Sequence, residues 1–183
     1  MHQDKYCKDF LVRYGFDDAH CSSTPMETIA KFITQVKKKD QEPPPFDYLV
    51  RPGIAFAVSS LSRFGNNPTK KHCGALKRIL WYLAGSSKLG IVYPTDESKC
   101  DRIIVSGHCD ADWGNDPDAR KSVTGFVMTI AGGAVAWASR HQTIIAQSTE
   151  EAGFVTACEA TIEGRGIVNM LDEDLPKIAI KPG

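Results

Sequence analysis

The apolar residues of this chain change period, and that change limits the fold more than any other feature. Up to about Ala84 they recur at helical spacing. From Arg102 to Ser139 they gather in short runs rich in Ile, Val and aromatics, and from Ser148 to Leu175 the helical spacing returns. A chain that passes from period 3.6 to period 2 and back keeps its helices apart from an antiparallel sheet. The expected class is α+β.

Taken segment by segment, the pattern predicts a helix over Tyr6–Phe16, with Phe10, Leu11 and Tyr14 on one side and Gly15 as its stop. Residues 21–45 change character. Ser22 to Pro25 make a turn, Lys37 to Lys39 are a basic run, and Pro43 to Pro45 exclude a helix, so a linker is expected. A helix opens at Pro52, with Ile54, Val58, Leu61 and Phe64 on one stripe, and Gly65-Asn66-Asn67 ends it. A second opens at Pro68 and runs to about Ala84, with Leu76, Ile79, Leu80 and Leu83 inward and Gly85 as its stop. The two make a helical hairpin. Leu89–Tyr93 and Arg102–Asp110 read as strands, followed by Ser122–Ile130 and, after a Gly132-Gly133 turn, Ala134–Ser139 carrying Trp137. Ser148 or Thr149 is a suitable N-cap, with Glu150 and Glu151 in the first turn where the helix dipole favours acids. That helix carries Phe154, Val155, Cys158, Ile162, Val168 and Leu171, and Gly164 and Gly166 weaken its middle.

Composition decides little except through its distribution. With 42% hydrophobic and 24% charged residues in 183, a buried core is within reach, and the formal net charge is zero. Yet Arg63, Lys70, Lys71, Lys77, Arg78 and Lys88 form a run without an acid, and Asp110, Asp112, Asp116 and Asp118 a run without a base. Such a division suits a protein with a phosphate-binding stretch and a cation-binding one, and also a protein with neither. The six cysteines are scattered without a C-x-x-C pair, which reads as free thiols in a reducing compartment. His72, His108 and His141 have no partner at zinc spacing. The polar Met1–Tyr6 start has no apolar signal region, and no apolar run approaches the ~20 residues of a membrane span. A soluble intracellular (cytoplasmic or nuclear) protein is expected.

Five strings then occur in order: Gly107-His108-Cys109-Asp110-Ala111-Asp112-Trp113-Gly114-Asn115-Asp116, Arg120-Lys121-Ser122-Val123-Thr124-Gly125-Phe126, Ala136-Trp137-Ala138-Ser139-Arg140-His141-Gln142, Ala146-Gln147-Ser148-Thr149-Glu150-Glu151-Ala152 and Ala157-Cys158-Glu159-Ala160-Thr161. They resemble successive elements of the ribonuclease H region of copia-type retrotransposon Pol polyproteins. Upstream, Arg51 to Val58 and Asn67 to Lys70 resemble the connection that precedes it, and Ser23-Thr24-Pro25-Met26 resembles the end of the reverse transcriptase. The resemblance divides the chain into a reverse transcriptase end (1–27), a linker (28–50), a helical connection (51–86) and a partial ribonuclease H-like domain (87–183).

The resemblance implies hydrolysis of the RNA strand of an RNA–DNA hybrid by a two-magnesium site, in which several carboxylates converge on two dications. It maps the first catalytic, metal-binding acid onto Asp110 and the second onto Glu151 in preference to Glu150, with Gly153 standing where the family pattern has another Glu. The competing reading is that the glutamates serve only the helix N-terminus. A third acid is expected beyond Lys177–Ile180, and the sequence stops before it, so the fold is expected to be incomplete, with three antiparallel strands, one helix and an exposed first-strand edge. Asp172, Glu173 and Asp174 lie at the far end of the helix, ~30 Å from Glu151 at 1.5 Å per residue. Hydrolysis by this chain is therefore expected to be very weak or absent, the alternative being a non-catalytic remnant that at most binds nucleic acid. Lys70, Lys71, Lys77 and Arg78 are the residues expected to track phosphates, and the reverse transcriptase portion is the expected partner.

Overall fold

A computed structural model describes residues 4–27, 51–94 and 103–174, which fall into two compact units, Met1–Ile91 and Val92–Gly183. The expected linker at 28–50, Cys100 and the Lys177–Ile180 segment lie outside the described residues.

In the first unit, helix α1 spans Asp4–Arg13 and buries Cys7 and Leu11. It stops as expected. Gly15 takes φ +70, and the Phe16 and Gly15 N–H groups bond the Leu11 and Val12 carbonyls, which satisfies two acceptors at the helix end. Pro52–Ile54 forms a single 3-10 turn that leads into α2, Ala55–Ser62. The third helix, α3, covers Lys70–Ser86 and is capped by Thr69. Leu11, Ile54, Ala57, Ile79, Leu80 and Leu83 form the core, with Val58 and Leu61 packed against it. Three expectations change here. Gly85 does not end α3, which continues to Ser86. Leu76 is on the apolar stripe yet 53% exposed, because it borders an open cleft of about 400 Å³ shared with Phe10, Val58 and Leu61. The Leu89–Tyr93 segment forms no strand. Arg51 reaches across and donates to the carbonyls of Ser86, Ser87 and Leu89 (2.7, 3.0 and 3.2 Å), and this bonding to the end of α3 occupies an acceptor a sheet ladder would need.

In the second unit three strands, β1 (Val105–Asp112), β2 (Val123–Ile130) and β3 (Gly133–His141), make an antiparallel sheet in the order β1-β2-β3. The turn falls one residue earlier than the glycine pair suggested. Ala131 and Gly132 take φ 49 and 72, the positive pair of a tight hairpin turn, and Gly133 already belongs to β3.

Helix α4, Thr149–Asp174, packs on one face of this sheet without a break at Gly164 or Gly166. Its buried residues are Ala152, Thr156, Ala160 and Ile167, the last two set against Phe126 and Met128 of β2. Burying Phe126 alone contributes ~1.5–3 kcal/mol. The larger apolar residues Phe154 and Ile162 are 71% and 73% exposed, on the opposite side of the helix. Among the described residues, no helix is long and apolar enough to cross a membrane, and Cys7, Cys21, Cys73, Cys109 and Cys158 are free.

Candidate functional site

Strand alternation and register decide which way the acids of β1 face. Cys109 pairs with Phe126 and Ala111 with Thr124, so these share the face covered by α4. Asp110 pairs with Gly125 and Asp112 with Val123, which places both acids on the other face. Asp110 is exposed, and one of its carboxylate oxygens accepts the N–H of Ala111 at 2.9 Å. Asp112 accepts from the Asn115 side-chain amide.

The loop that follows is tightly tied. The buried Asp116 accepts the Asp118 N–H at Oδ1 (3.1 Å), and its backbone bonds Lys121 and Arg120. Ser122 accepts the N–H of Gly114 at 3.1 Å. Trp113, just past β1, donates its Nε1–H to the Ala146 carbonyl at 3.0 Å. That bond joins the end of β1 to the residues leading into α4, and so brings Asp110, Asp112, Glu150 and Glu151 to one end of the unit. Trp113 thus anchors the turn that follows β1.

The start of α4 is a reciprocal cap. Ser148 Oγ accepts the Glu151 N–H at 3.2 Å, and the Glu151 carboxylate accepts the Gln147 N–H at 2.6 Å. Glu150 is fully exposed. Its own backbone N–H, then the Ser148 and Thr149 hydroxyls, hold its carboxyl below the usual carboxylate range. The helix-start role weighed for the glutamates is therefore present in Glu151 itself. Ser148→Ala removes the cap and is expected to cost ~1 kcal/mol, lowering the melting temperature of the second unit by about 4–8 °C in calorimetry. Glu151→Gln retains an acceptor for Gln147 and is expected to cost only a few tenths of that.

Behind this end lies a buried polar cluster that sequence reasoning missed. Gln142, 1% exposed, donates from Nε2 toward the Ala152 carbonyl (2.8 Å), Thr156 Oγ1 (3.1 Å) and Thr124 Oγ1 (3.3 Å). Thr124 and Thr156 bond each other at 3.1 Å. One amide thus fixes the first turns of α4 against β2.

In the first unit, Lys70, Lys71 and Lys77 project from α3 into solvent. Arg78 is engaged. Its guanidinium bonds the Thr24 carbonyl and hydroxyl and the Glu27 carboxylate at 3.0–3.3 Å, which holds the 24–27 turn to α3.

With a metal in view, the donor set is short. Among the described residues no three His, Cys, Asp or Glu side chains lie together in a way that could hold an ion. Asp110 and Glu151 are hard oxygen donors, but each has one oxygen occupied by a backbone N–H. Two such carboxylates do not fit a two-magnesium site.

Relatives agree over nearly the whole chain. The retrovirus-related Pol polyprotein from transposon TNT 1-94 of Nicotiana tabacum is 33% identical over 189 residues, covering 94% of this chain and 14% of that protein. The polyprotein from transposon RE1 of Arabidopsis thaliana is 30% identical over 182 residues, covering 94% and 12%. The chain belongs to the retrovirus-related Pol polyproteins of copia-type transposons. It spans 12–14% of the length of these Pol relatives. The Secreted RxLR effector protein 161 of Plasmopara viticola is also similar, 35% identical over 115 residues, covering 63% of this chain and 78% of that protein. No family model and no solved structure matches the chain.

Proposed function

We propose that the second unit of this Pol segment is ribonuclease H-like, from a polyprotein whose intact form hydrolyses the RNA strand of RNA–DNA hybrids, and that this chain by itself cleaves them very weakly or not at all. The observation that carries the reading is the placement of acids. Asp110, near the end of the first strand, and Glu151, in the first turn of the helix, are brought to one end of the unit by the Trp113–Ala146 bond. Two-ion hydrolysis needs more carboxylate than this pair supplies, so no catalytic step is assigned to these residues. The test is cleavage of a labelled hybrid by the 183-residue chain in magnesium. Product indistinguishable from a protein-free control is expected. Magnesium-dependent cleavage that disappears in Asp110→Asn would overturn the inactivity.

The exposed lysines of α3 support a second reading, in which the chain binds nucleic acid without cutting it. Lys70, Lys71 and Lys77 are free to meet phosphates, and α3 contains no acid to oppose them. Three phosphate contacts give a slope of log affinity against log salt of about −2.7 on duplex DNA. Replacing all three by Gln is expected to flatten that slope to near zero, as read by fluorescence anisotropy. An unchanged slope would exclude this surface.

A further inference from the structure

We propose that Glu27 is an electrostatic gate on the basic face of α3, withholding Arg78 from a phosphate backbone that the neighbouring lysines can already meet. The gate rests on the reading of that face as a nucleic-acid surface. At about 100° per residue, Lys70 and Lys77 fall in one row along α3 and Lys71 and Arg78 in a second, the two members of each row about 10 Å apart. Gly74 lies between the rows, and a Cβ there would meet nothing within 4 Å. Four cations therefore stand at the corners of one uncrowded patch, and α3 itself places no acid among them.

One corner is cancelled from outside the helix. The segment from His20 to Glu27 runs back along α3 from Gly85 toward Arg78, and it is anchored without Glu27. Cys21 fills the space that a side chain at position 85 would need, its Cβ 2.9 Å from where that Cβ would stand. The His20 ring lies on Trp81 with centroids 4.0 Å apart, and the Ser22 N–H donates to the Trp81 carbonyl at 3.2 Å. Thr24 then holds the guanidinium itself, its carbonyl accepting from Nε at 3.3 Å and its hydroxyl from Nη2 at 3.0 Å. Glu27 takes the remaining arm, accepting from Nη1 at 3.2 Å, and its side chain is 71% exposed. An ion pair so exposed adds little to stability. Its main effect is on charge, because it neutralises a guanidinium that Thr24 has already oriented. With a neutral residue at position 27 the planar fork stays in place, and Nη1 is left to donate to a phosphate oxygen.

Fluorescence anisotropy of the 183-residue chain on a labelled DNA duplex, repeated over a range of salt concentrations, tests the face and the gate together. The parent is expected to show a slope of log affinity against log salt of about −2.7. Glu27→Gln is expected to bind more tightly and to steepen the slope to about −3.6, because each added phosphate contact contributes about −0.9. Combining it with Arg78→Gln is expected to return the slope to about −2.7. That return separates a released Arg78 from the general loss of an acid. Glu27→Gln keeps the size of an exposed side chain, so its thermal melt should match the parent's. A flat parent slope removes the lysine surface, and the gate with it. A parent near −2.7 whose Glu27→Gln variant has the same slope overturns the gate alone. So does a steepening that persists in the double variant, or a parent slope already near −3.6.

Discussion

Gln142→Ala is expected to destabilise the second unit by ~3 kcal/mol, a fall in melting temperature of roughly 12–24 °C for a unit of this size. The amide nitrogen is the group among the four that brings two hydrogens. Ala152 offers only a carbonyl, and one threonine hydroxyl already spends its hydrogen on the other. Without Nε2 the carbonyl loses its side-chain partner in a space closed to solvent, and a void replaces most of the side chain. Volume and hydrogen bonding can be separated. Gln142→Met fills the space but donates nothing, and it should recover about half of the loss. The recovery is helped because Oε1 of the native amide has no protein partner, so the native cluster is itself incompletely satisfied. Thr124→Val and Thr156→Val should each cost ~1 kcal/mol, and the pair should cost less than the sum, because each removes the partner of the other. If Gln142→Ala melts within a few degrees of the parent, the amide does not hold α4 to the sheet.

That cluster marks the boundary of what could be read from the residues alone. The three strands and the long helix were legible because their apolar spacing is regular, and the limits of β2 shift by only one residue, from Ser122 to Val123. Leu89–Tyr93 has strand-like residues, but a strand requires a partner edge, and the Leu89 carbonyl that opens the segment answers to Arg51, far away in sequence. Along α4 the eye follows Phe154 and Ile162, whereas small Ala152, Thr156 and Ala160 are buried because they let the helix lie close to β2. Gln142 reads as loop polarity, and Arg78 as one more cation on a basic helix. Their partners lie 10 to 54 positions away, and no periodicity encodes those distances. For the candidate site, the sequence placed Asp110 and Glu151 at element ends. The backbone N–H that each accepts, and the face Asp110 takes, depend on register and cap geometry, which short strings do not carry.

The first unit is expected to lose stability as pH falls below the ordinary imidazole value, because of His72. This ring is 6% exposed and stacked on Phe64, with centroids 4.2 Å apart. Its Nδ1 accepts the Thr69 N–H at 3.0 Å, the return half of the box in which Thr69 caps α3. A protonated Nδ1 cannot accept, and burial already holds the pKa of the ring below its usual range. The folded state therefore takes up the proton later than the unfolded chain. Stability is complete above about pH 6.5 and declines as pH falls through that value toward the folded pKa, with a slope of at most about 1.4 kcal/mol per pH unit. His72→Ala removes this titration together with the cap and the stacking, and is expected to cost ~2–4 kcal/mol near neutral pH. His72→Gln is the informative comparison. Glutamine at this position can accept the Thr69 N–H without titrating, so it should keep most of the cap while abolishing the pH slope. Amide exchange across α3, measured at pH 7.5 and pH 5 for the parent and both variants, separates these outcomes. Equal protection in the parent at the two pH values would show that His72 does not govern this helix.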